Sequence, residues 1–275
     1  MKNKQPIGVL DSGVGGLTVV KTMLTELPDE DFVYFGDTAH LPYGSKTPEE
    51  LITYARNIIQ FFNTFPVKAV VIACGTHSSV TLQHIINDYP LPLIGVVKAA
   101  ARSAAAATTN HRVGVLATHA TVMSGTFTRE IRSLQPECKV MEVACAKFVP
   151  LVESGKLDDD DTRQAVEEYI GPLVDQGIDT LVLGCTHYPF LAPLIREYVG
   201  EQVNLVDPAY ETVDELKRLL ESQNLAQGSN PHPQRQFYVS GHHESFYTVG
   251  KLLIGDVIQK VEQVSLDYGS VFKEL

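Results

Sequence analysis

Two short stretches of the chain decide its fold, and each runs from an apolar segment into a cysteine. They read Val70-Val71-Ile72-Ala73-Cys74-Gly75-Thr76-His77 and Leu181-Val182-Leu183-Gly184-Cys185-Thr186-His187. A short, continuous apolar run is typical of a buried strand in a parallel sheet. Ligands of α/β sheets bind beyond the carboxyl ends of the strands. We therefore expect both thiols at the mouth of a site and not inside the core.

The segments around these stretches repeat the same alternation of strands and helices. Paired in order from the two halves, the predicted strands are 7–10 with 113–118, 32–37 with 139–144, 70–74 with 181–185, and 93–97 with 203–207. The matching order indicates an internal duplication. Alternating strands and helices predict α/β halves, each a mostly parallel sheet flanked by helices.

The duplication also predicts the domain organisation. Residues 1–98 together with 210–275 are expected to form the first α/β domain, and residues 99–209 the second, with the active site in the cleft between them. The segment after about residue 210 has no counterpart in the second half. It is expected to hold a helix (212–221), a surface loop (224–234), a strand (236–240) and a C-terminal helix, and to pack on the first half.

Composition narrows the functional classes. The 275 residues include 22 Lys and Arg against 33 Asp and Glu, a formal charge of −11 that argues against nucleic-acid or anionic-membrane partners. We see neither a signal peptide nor a membrane-spanning run, so a cytoplasmic location is expected. The four cysteines are interpreted as free thiols. For Cys138 and Cys145 we expect only small, partly buried packing residues.

Two thiols at one site suit the removal of a proton from one face of a carbon atom and its return to the other face. Cysteine fits both roles, because its ordinary pKa of about 8.5 is easily moved by its surroundings. Candidate partners for proton transfer are Asp11, Glu153 and His187. No lysine stands in an obvious Schiff-base setting, so pyridoxal phosphate is not implied and we expect no cofactor.

Three other interpretations remain open at this point. Cys74, His77, Cys185 and His187 have the ligand count of a zinc site, although their spacing is poor. A lone nucleophilic cysteine with a nearby histidine would suit an amidohydrolase but leaves the second Cys-Thr-His unexplained. Buried structural cysteines would explain either thiol alone, and less well a matched pair.

Two loops follow predicted strands and carry polar or glycine residues. The turn Asp11-Ser12-Gly13-Val14-Gly15-Gly16 offers backbone N–H groups to an anion but lacks the spacing of a dinucleotide fingerprint. The loop from Thr38 to Gly44 lies past the next strand. A helix is expected to begin after Thr47, with a proline and an acidic first turn. Another helix is expected over 78–88.

Several of these motifs together resemble the signatures of bacterial glutamate racemases. The resemblance is carried by Leu10-Asp11-Ser12-Gly13-Val14-Gly15-Gly16-Leu17, Phe35-Gly36-Asp37-Thr38-Ala39-His40-Leu41-Pro42-Tyr43-Gly44, Phe148-Val149-Pro150-Leu151-Val152-Glu153 and Gly184-Cys185-Thr186-His187-Tyr188-Pro189. It implies cofactor-independent interconversion of L- and D-glutamate for peptidoglycan, in two α/β domains that often form a homodimer. It implies no metal and no nucleic-acid or membrane partner.

The resemblance also assigns roles to individual residues. Cys74 and Cys185 would be the acid/base thiols, assisted by Asp11, Glu153 and His187. The residues implied to bind the substrate are Asp11, Ser12, Pro42, Tyr43, Gly44, Gly75, Thr76, Thr118, Thr121, Thr186 and His187.

Two motifs depart from the family pattern, the second to a lesser degree. The family usually reads Cys-Asn-Thr-Ala where this chain has Cys74-Gly75-Thr76-His77, and Ser-Gly-Asp where it has Ser240-Gly241-His242. From the first departure we expect that the protein racemises glutamate slowly. We expect the combination of Gly75→Asn with His77→Ala to increase the rate. For His77 we expect a packing or capping role. The alternatives are a paralogue that racemises another acidic amino acid such as aspartate, and a catalytically weakened binding protein.

Overall fold

The computed structural model describes residues 2–266, and within them ten strands form two parallel sheets flanked by helices. The strands are β1 (Ile7–Asp11), β2 (Phe32–Gly36), β3 (Ala69–Ile72), β4 (Leu93–Gly95), β5 (Arg112–Ala117), β6 (Lys139–Ala144), β7 (Thr180–Leu183), β8 (Asn204–Val206), β9 (Arg235–Val239) and β10 (Glu262–Gln263).

The order of the strands confirms the duplicated α/β fold. The larger sheet runs β10-β9-β2-β1-β3-β4 and the smaller one β6-β5-β7-β8. The four strands β2-β1-β3-β4 thus have the same order as β6-β5-β7-β8, and every pair is parallel. The strands that precede Cys74 and Cys185, β3 and β7, occupy equivalent positions next to the first strand of each half.

Twelve α-helices within the described residues cover the sheets. They are α1 (Leu17–Glu26), α2 (Pro48–Phe62), α3 (Gly75–Val80), α4 (Leu82–Ile85), α5 (Val96–Ala107), α6 (His119–Ser124), α7 (Thr126–Leu134), α8 (Phe148–Glu153), α9 (Asp160–Asp175), α10 (Ala192–Val199), α11 (Pro208–Ser222) and α12 (His243–Ile254). In the stretch from 2 to 266, no helix combines the length and apolarity needed to cross a membrane.

Local sequence explains where two of the helices begin. Thr47 and Glu50 form a reciprocal capping box at the start of α2, with Pro48 in the first turn. The side chain of Asp207 accepts a hydrogen bond of 2.8 Å from the Ala209 N–H, so α11 begins four residues before the predicted position of 212.

Two other sequence predictions differ from the structure. The helix expected over 78–88 is two short helices, α3 and α4, separated at Thr81. The hydroxyl of Thr81 donates to the His77 carbonyl oxygen at 2.8 Å, a side-chain bond that competes with the regular helix pattern. The strand β10 was not predicted, because its two residues are too short for an apolar pattern to be visible.

The chain passes between the two sheets within helices. α5 leads from the larger sheet to the smaller one, α11 leads back, and the two helices pack against each other. The segment after α11 returns to the first half, because β9 pairs in parallel with β2. The domain boundaries near 98 and 209 stay predictions; both positions fall inside or beside these connecting helices.

A buried ion pair ties the amino-terminal ends of the strands of the larger sheet together. Lys68, which directly precedes β3, pairs with Glu30, and their side chains are 0% and 4% exposed. The same ammonium donates to the carbonyl oxygens of Asn3 and Leu225, each at 2.9 Å. Glu30 also accepts a hydrogen bond of 2.8 Å from the Gln227 N–H. Four separate segments therefore meet at this ion pair, at the end of the sheet opposite to the cysteine loops.

Candidate active site

The loops after the strands of both sheets enclose one cavity of about 170 Å³. Cys74 follows β3 and Cys185 follows β7, and both thiols line the cavity although the residues are only 4% and 5% exposed. The other lining residues are Ser12, Leu41, Pro42, Tyr43, Gly44, Ser45, Thr76, Thr118, His119, Cys145, Ala146, Val149 and His187.

Five of the residues predicted for the site do not line the cavity but lie directly behind the residues that do. Thr121 stands behind Thr118, with 3.0 Å between the two hydroxyl oxygens. Asp11, Glu153 and Thr186 contact lining residues or each other, and Gly75 lies against the second half. The structure therefore brings the predicted residues into one place, as a lining set and a supporting set.

Cys74 is surrounded by groups that keep its thiol protonated. Its Sγ–H donates to the Ser12 hydroxyl at 3.8 Å. Burial and the nearby carboxylate of Asp11 raise the pKa of the Cys74 thiol to about 12, although the backbone N–H of His77 acts in the opposite direction. At neutral pH this cysteine is therefore a proton donor.

Cys185 has a different partner. Its Sγ lies 3.7 Å from Nδ1 of His187, whose Nε2 is 2.7 Å from the carboxylate of Glu153. Burial disfavours the charged imidazole, but hydrogen bonds to Cys185 and Glu153 outweigh it and raise the pKa of His187 well above its ordinary value. A protonated His187 donates to both partners, so the second thiol sits beside a cation and the first does not.

Asp11 lies between the two halves at the end of β1. Its carboxylate accepts hydrogen bonds from the Gly13 N–H at 2.9 Å and from the hydroxyl of Thr186 at 3.2 Å. Burial raises the pKa of Asp11, while the charge of His187 and backbone N–H groups lower it. A carboxyl group with a raised pKa is a more effective base, which suits it to accept a proton near Cys74.

The glycine turn after β1 packs against the second half of the chain. The Val14 N–H donates to the Glu153 carboxylate at 3.0 Å, and side chains at Gly13 or Gly15 would overlap Glu153 or His187. The sequence predicted a turn that could bind an anion. In the structure the anion on this turn is the protein's own carboxylate.

Asp37 fixes the loop that carries Tyr43 into the cavity wall. The Tyr43 hydroxyl and the Ser240 hydroxyl each donate to Asp37 at 2.5 Å, and Nδ1 of His40 lies 2.8 Å away. Asp37 is buried, but hydrogen bonds from His40, Ser240 and Tyr43 lower its pKa. This anionic anchor holds Tyr43 in one position at the cavity.

Sequence reasoning missed Cys145, which also lines the cavity. It follows β6 and is buried, and its Sγ–H donates to the Val143 carbonyl oxygen at 3.5 Å. Burial and the neighbouring Cys185 raise the pKa of this thiol. We expected a packing residue; its position after a strand of the second sheet was the signal that could have placed it at the site.

Gly75 and His77, where the chain departs from the family pattern, have steric and packing roles. A Cβ atom on Gly75 would overlap the carbonyl oxygen of Gly184, next to Cys185. The imidazole of His77 is buried edge-on against Tyr43, with ring centroids 4.7 Å apart, and its Nδ1 lies 3.3 Å from the Thr81 hydroxyl. Burial lowers the pKa of His77 to about 3, so its ring carries no charge for a carboxylate.

These contacts make a side chain at residue 75 unfavourable in this arrangement of the loops. Gly75→Ala is expected to lower kcat/KM for racemisation by at least about tenfold, since the added methyl group forces the two cysteine loops apart and small displacements of reacting groups have large effects. The expectation that Gly75→Asn combined with His77→Ala increases the rate stays a prediction, and the overlap with the Gly184 carbonyl oxygen argues against it.

Steady-state kinetics on the parent and Gly75→Ala measure this effect. The matched control is Gly228→Ala, because a Cβ on Gly228 meets nothing within 4 Å. Unchanged kcat/KM in a folded Gly75→Ala variant would show that the loops tolerate a side chain here.

The zinc interpretation gains no support from the geometry. Across residues 2–266, no group of three or more histidine, cysteine, aspartate or glutamate side chains is arranged to hold a metal ion. Cys185 and His187 are in contact, but His77 packs on Tyr43. The four residues counted from the sequence are therefore not gathered around one point.

Two buried thiols with different hydrogen-bond partners, after equivalent strands of a duplicated α/β fold and in one cavity, are suited to acid/base chemistry on a bound molecule. The chain belongs to the Asp/Glu/Hydantoin racemase family, whose profile matches residues 7–216. It is an amino-acid racemase, an isomerase, and the resemblance drawn from its motifs is confirmed.

Individual relatives match over nearly their whole length. Glutamate racemase of Syntrophus aciditrophicus is 43% identical over 261 residues, which are 95% of this chain and 97% of the relative. The crystal structure of glutamate racemase from Francisella tularensis in complex with D-glutamate has a TM-score of 0.89 at 34% identity, covering 96% of this chain and 99% of the other. The Thermus thermophilus enzyme in complex with beta-chloro-D-alanine gives 0.87 at 38%, covering 97% and 99%.

Proposed function

We propose that the protein interconverts L- and D-glutamate by acid/base catalysis with two cysteines and without a cofactor. The observation that carries the proposal is the presence of Cys74 and Cys185 in one cavity, after the equivalent strands β3 and β7. Glutamate is favoured over aspartate as the substrate because the relatives described above are glutamate racemases.

In the proposed mechanism the substrate α-carbon lies between the two thiols. In one direction Cys185, as thiolate beside protonated His187, removes the α-proton, and the Cys74 thiol donates a proton to the opposite face. In the other direction Asp11 accepts the proton of Cys74, which then acts as the base, and Cys185, after receiving the proton of His187, donates it to the opposite face. Glu153 holds His187 through the 2.7 Å contact with Nε2.

The polar lining supplies binding groups for a charged amino acid. We assign substrate binding to the hydroxyl groups of Ser12, Thr76 and Thr118 and to the Tyr43–Gly44 segment, all at the cavity wall. Pro42 shapes the same wall. Asp11, Gly75, Thr121, Thr186 and His187 complete the proposed substrate-binding set, the first four by supporting the lining residues from behind.

The wider assignments follow from the family resemblance. We infer two domains, 1–98 with 210–275 and 99–209, with the active site between them. We also infer a homodimer in the cytoplasm whose D-glutamate is used for peptidoglycan. The partner of the site is a small molecule, and we propose no nucleic-acid or membrane partner.

Racemisation in deuterated water tests both the activity and the two-base mechanism. Starting from L-glutamate, we expect deuterium at early times mainly in the D-glutamate product, because each thiol exchanges its proton with solvent before donating it. Circular dichroism follows the turnover and mass spectrometry of the separated enantiomers follows the label.

Three results would count against parts of the proposal. Equal early labelling of substrate and product favours a single base. Faster turnover of L-aspartate than of L-glutamate identifies a paralogue with another acidic substrate. Binding of glutamate without turnover of either amino acid identifies a weakened binding protein.

A further inference from the structure

A second hollow lies beside the cavity, and we call it the outer groove. It has a volume of about 440 Å³ and is lined by residues 44–48 and 51 together with side chains of α3, α4, α6 and α7. Gly44, Ser45 and His119 line both the outer groove and the cavity. The two spaces therefore adjoin at these three residues.

The outer groove carries positive charge. Lys46 and Arg129 line it together with two titratable imidazoles, His84 and His119, and in the described part of the chain none of its lining residues is acidic. The Lys46 ammonium lies 4.0 Å from the partly exposed carboxylate of Glu50, a long contact. Such contacts between solvent-exposed groups are weak. The groove is thus a local basic region on a chain whose formal charge is −11.

Arg129 is held in place by its own contact with α7. One nitrogen of its guanidinium group donates to the hydroxyl of Thr126 at 2.9 Å, while the residue remains exposed. The behaviour of an Arg129 variant can therefore reflect loss of charge or loss of this hydrogen bond. A lysine at this position separates the two effects.

Among the described residues that line the cavity, the one positive charge is that of His187, which is already paired with Cys185 and Glu153. None of these described lining residues is a lysine or an arginine. An amino acid with two carboxylates and one ammonium group has a net charge of −1 and is repelled at long range by an acidic protein. Because the charge of His187 is buried and paired with Glu153, long-range attraction of the substrate is expected to come from the adjoining groove, where Lys46 and Arg129 lie.

The boundary between the two spaces is narrow. A Cβ on Gly44 would lie 3.2 Å from the Thr118 Cβ and 3.7 Å from the His119 nitrogen, so the loop of residues 43–45 lies close to the beginning of α6. A molecule that enters from the groove passes this boundary between the two halves.

We propose that the outer groove is a collecting site for the anionic amino-acid substrate, where Lys46 and Arg129 bind its carboxylates before it enters the cavity. The proposal rests on the proposed function, since it takes the substrate to be a small dicarboxylate amino acid. Charge of this kind raises the rate of association and leaves the chemical step unchanged, and its effect disappears at high salt.

The test compares three double variants. Lys46→Gln with Arg129→Gln removes both charges, Lys46→Arg with Arg129→Lys preserves them, and Lys21→Gln with Lys98→Gln removes two exposed charges from α1 and α5 as the matched control. At low ionic strength we expect kcat/KM of the first variant to fall about three- to tenfold with kcat unchanged. At 1 M salt, where the screening length is about 3 Å, the difference should vanish.

Two outcomes of the kinetics overturn the proposal. One is a kcat/KM for Lys46→Gln with Arg129→Gln that equals that of the control and has the same salt dependence. The other is a loss that persists in the charge-preserving variant or at 1 M salt, which assigns the effect to packing.

A binding measurement separates the groove from the proposed reaction. Glutarate is a dicarboxylate without a stereocentre, and His84 lines the groove but not the cavity. Glutarate should shift the imidazole NMR signals of His84, assigned with His84→Gln, in the parent and not in Lys46→Gln with Arg129→Gln. If the parent fails to racemise glutamate, the proposed function is wrong, but the glutarate titration still tests whether the outer groove binds a dicarboxylate. A His84 signal that does not shift with glutarate overturns the proposal for the groove.

Discussion

Replacing Cys74 or Cys185 with serine is expected to lower glutamate racemisation by about 10²–10⁴-fold in both directions, the usual contribution of a positioned acid or base. Each direction needs one thiol as base and the other as acid, so loss of either blocks both. A hydroxyl group at the same position is too weak an acid to supply the thiolate's role. Initial rates by circular dichroism, from pure L- and pure D-glutamate, measure the effect.

The chain provides its own matched control in the fourth cysteine. Cys138 is buried but does not line the cavity, so Cys138→Ser changes the same atoms in a core position without touching the site. We expect it to retain racemisation close to that of the parent. A Cys74→Ser or Cys185→Ser variant that keeps activity within a factor of ten of Cys138→Ser would end the two-thiol mechanism.

Lys68→Met is expected to destabilise the fold by about 3–5 kcal/mol, the effect of leaving one charge of a buried pair without its partner. In this protein the stranded group is the Glu30 carboxylate, which is 4% exposed. The carbonyl oxygens of Asn3 and Leu225 also lose a donor. Urea denaturation followed by far-ultraviolet circular dichroism gives the change in unfolding free energy.

Two comparisons define the result. Lys147→Met breaks an exposed pair with Glu168 and should leave the unfolding midpoint unchanged. Lys68→Met combined with Glu30→Leu should recover part of the loss, because no charge is then left alone. Lys68 precedes β3 and Cys74 follows it, so the two residues lie at opposite ends of the strand. The racemase activity per folded molecule of Lys68→Met should therefore equal that of the parent. A Lys68→Met variant as stable as the parent would contradict this prediction. It would show that water or a rearrangement of the chain stabilises the Glu30 carboxylate in place of Lys68.

The fold was predictable because its signals are local and repeated. Each strand of the duplicated halves is a short apolar run, and the chain order of these runs fixes which strands are equivalent. The positions of Cys74 and Cys185 at a shared site follow from the rule that parallel strands present their carboxyl ends at one edge. The break between α3 and α4 was not predictable at this level, since it depends on how a single hydroxyl bonds.

The features that were missed arise from contacts between distant parts of the chain. The close contact of residue 75 with the carbonyl oxygen of Gly184 joins positions more than 100 residues apart in the chain. Cys145 follows β6, which is a local signal, but its place in one cavity with Ser12 and Cys185 depends on how distant segments meet. The burial of Lys68 depends on Leu225 and Glu30. No pattern within a single segment encodes such relationships.

The third thiol in the cavity has a consequence for chemical labelling and inhibitor design. Cys74, Cys145 and Cys185 all line the same small space, so an electrophile shaped like the substrate meets three cysteine sulfur atoms there. The number of alkylated cysteines therefore does not identify the catalytic pair. Peptide mapping is needed to find which cysteines carry the label. Because burial raises the pKa of Cys145, a covalent inhibitor is expected to attach only slowly to this third thiol, which takes no part in the proposed proton transfer.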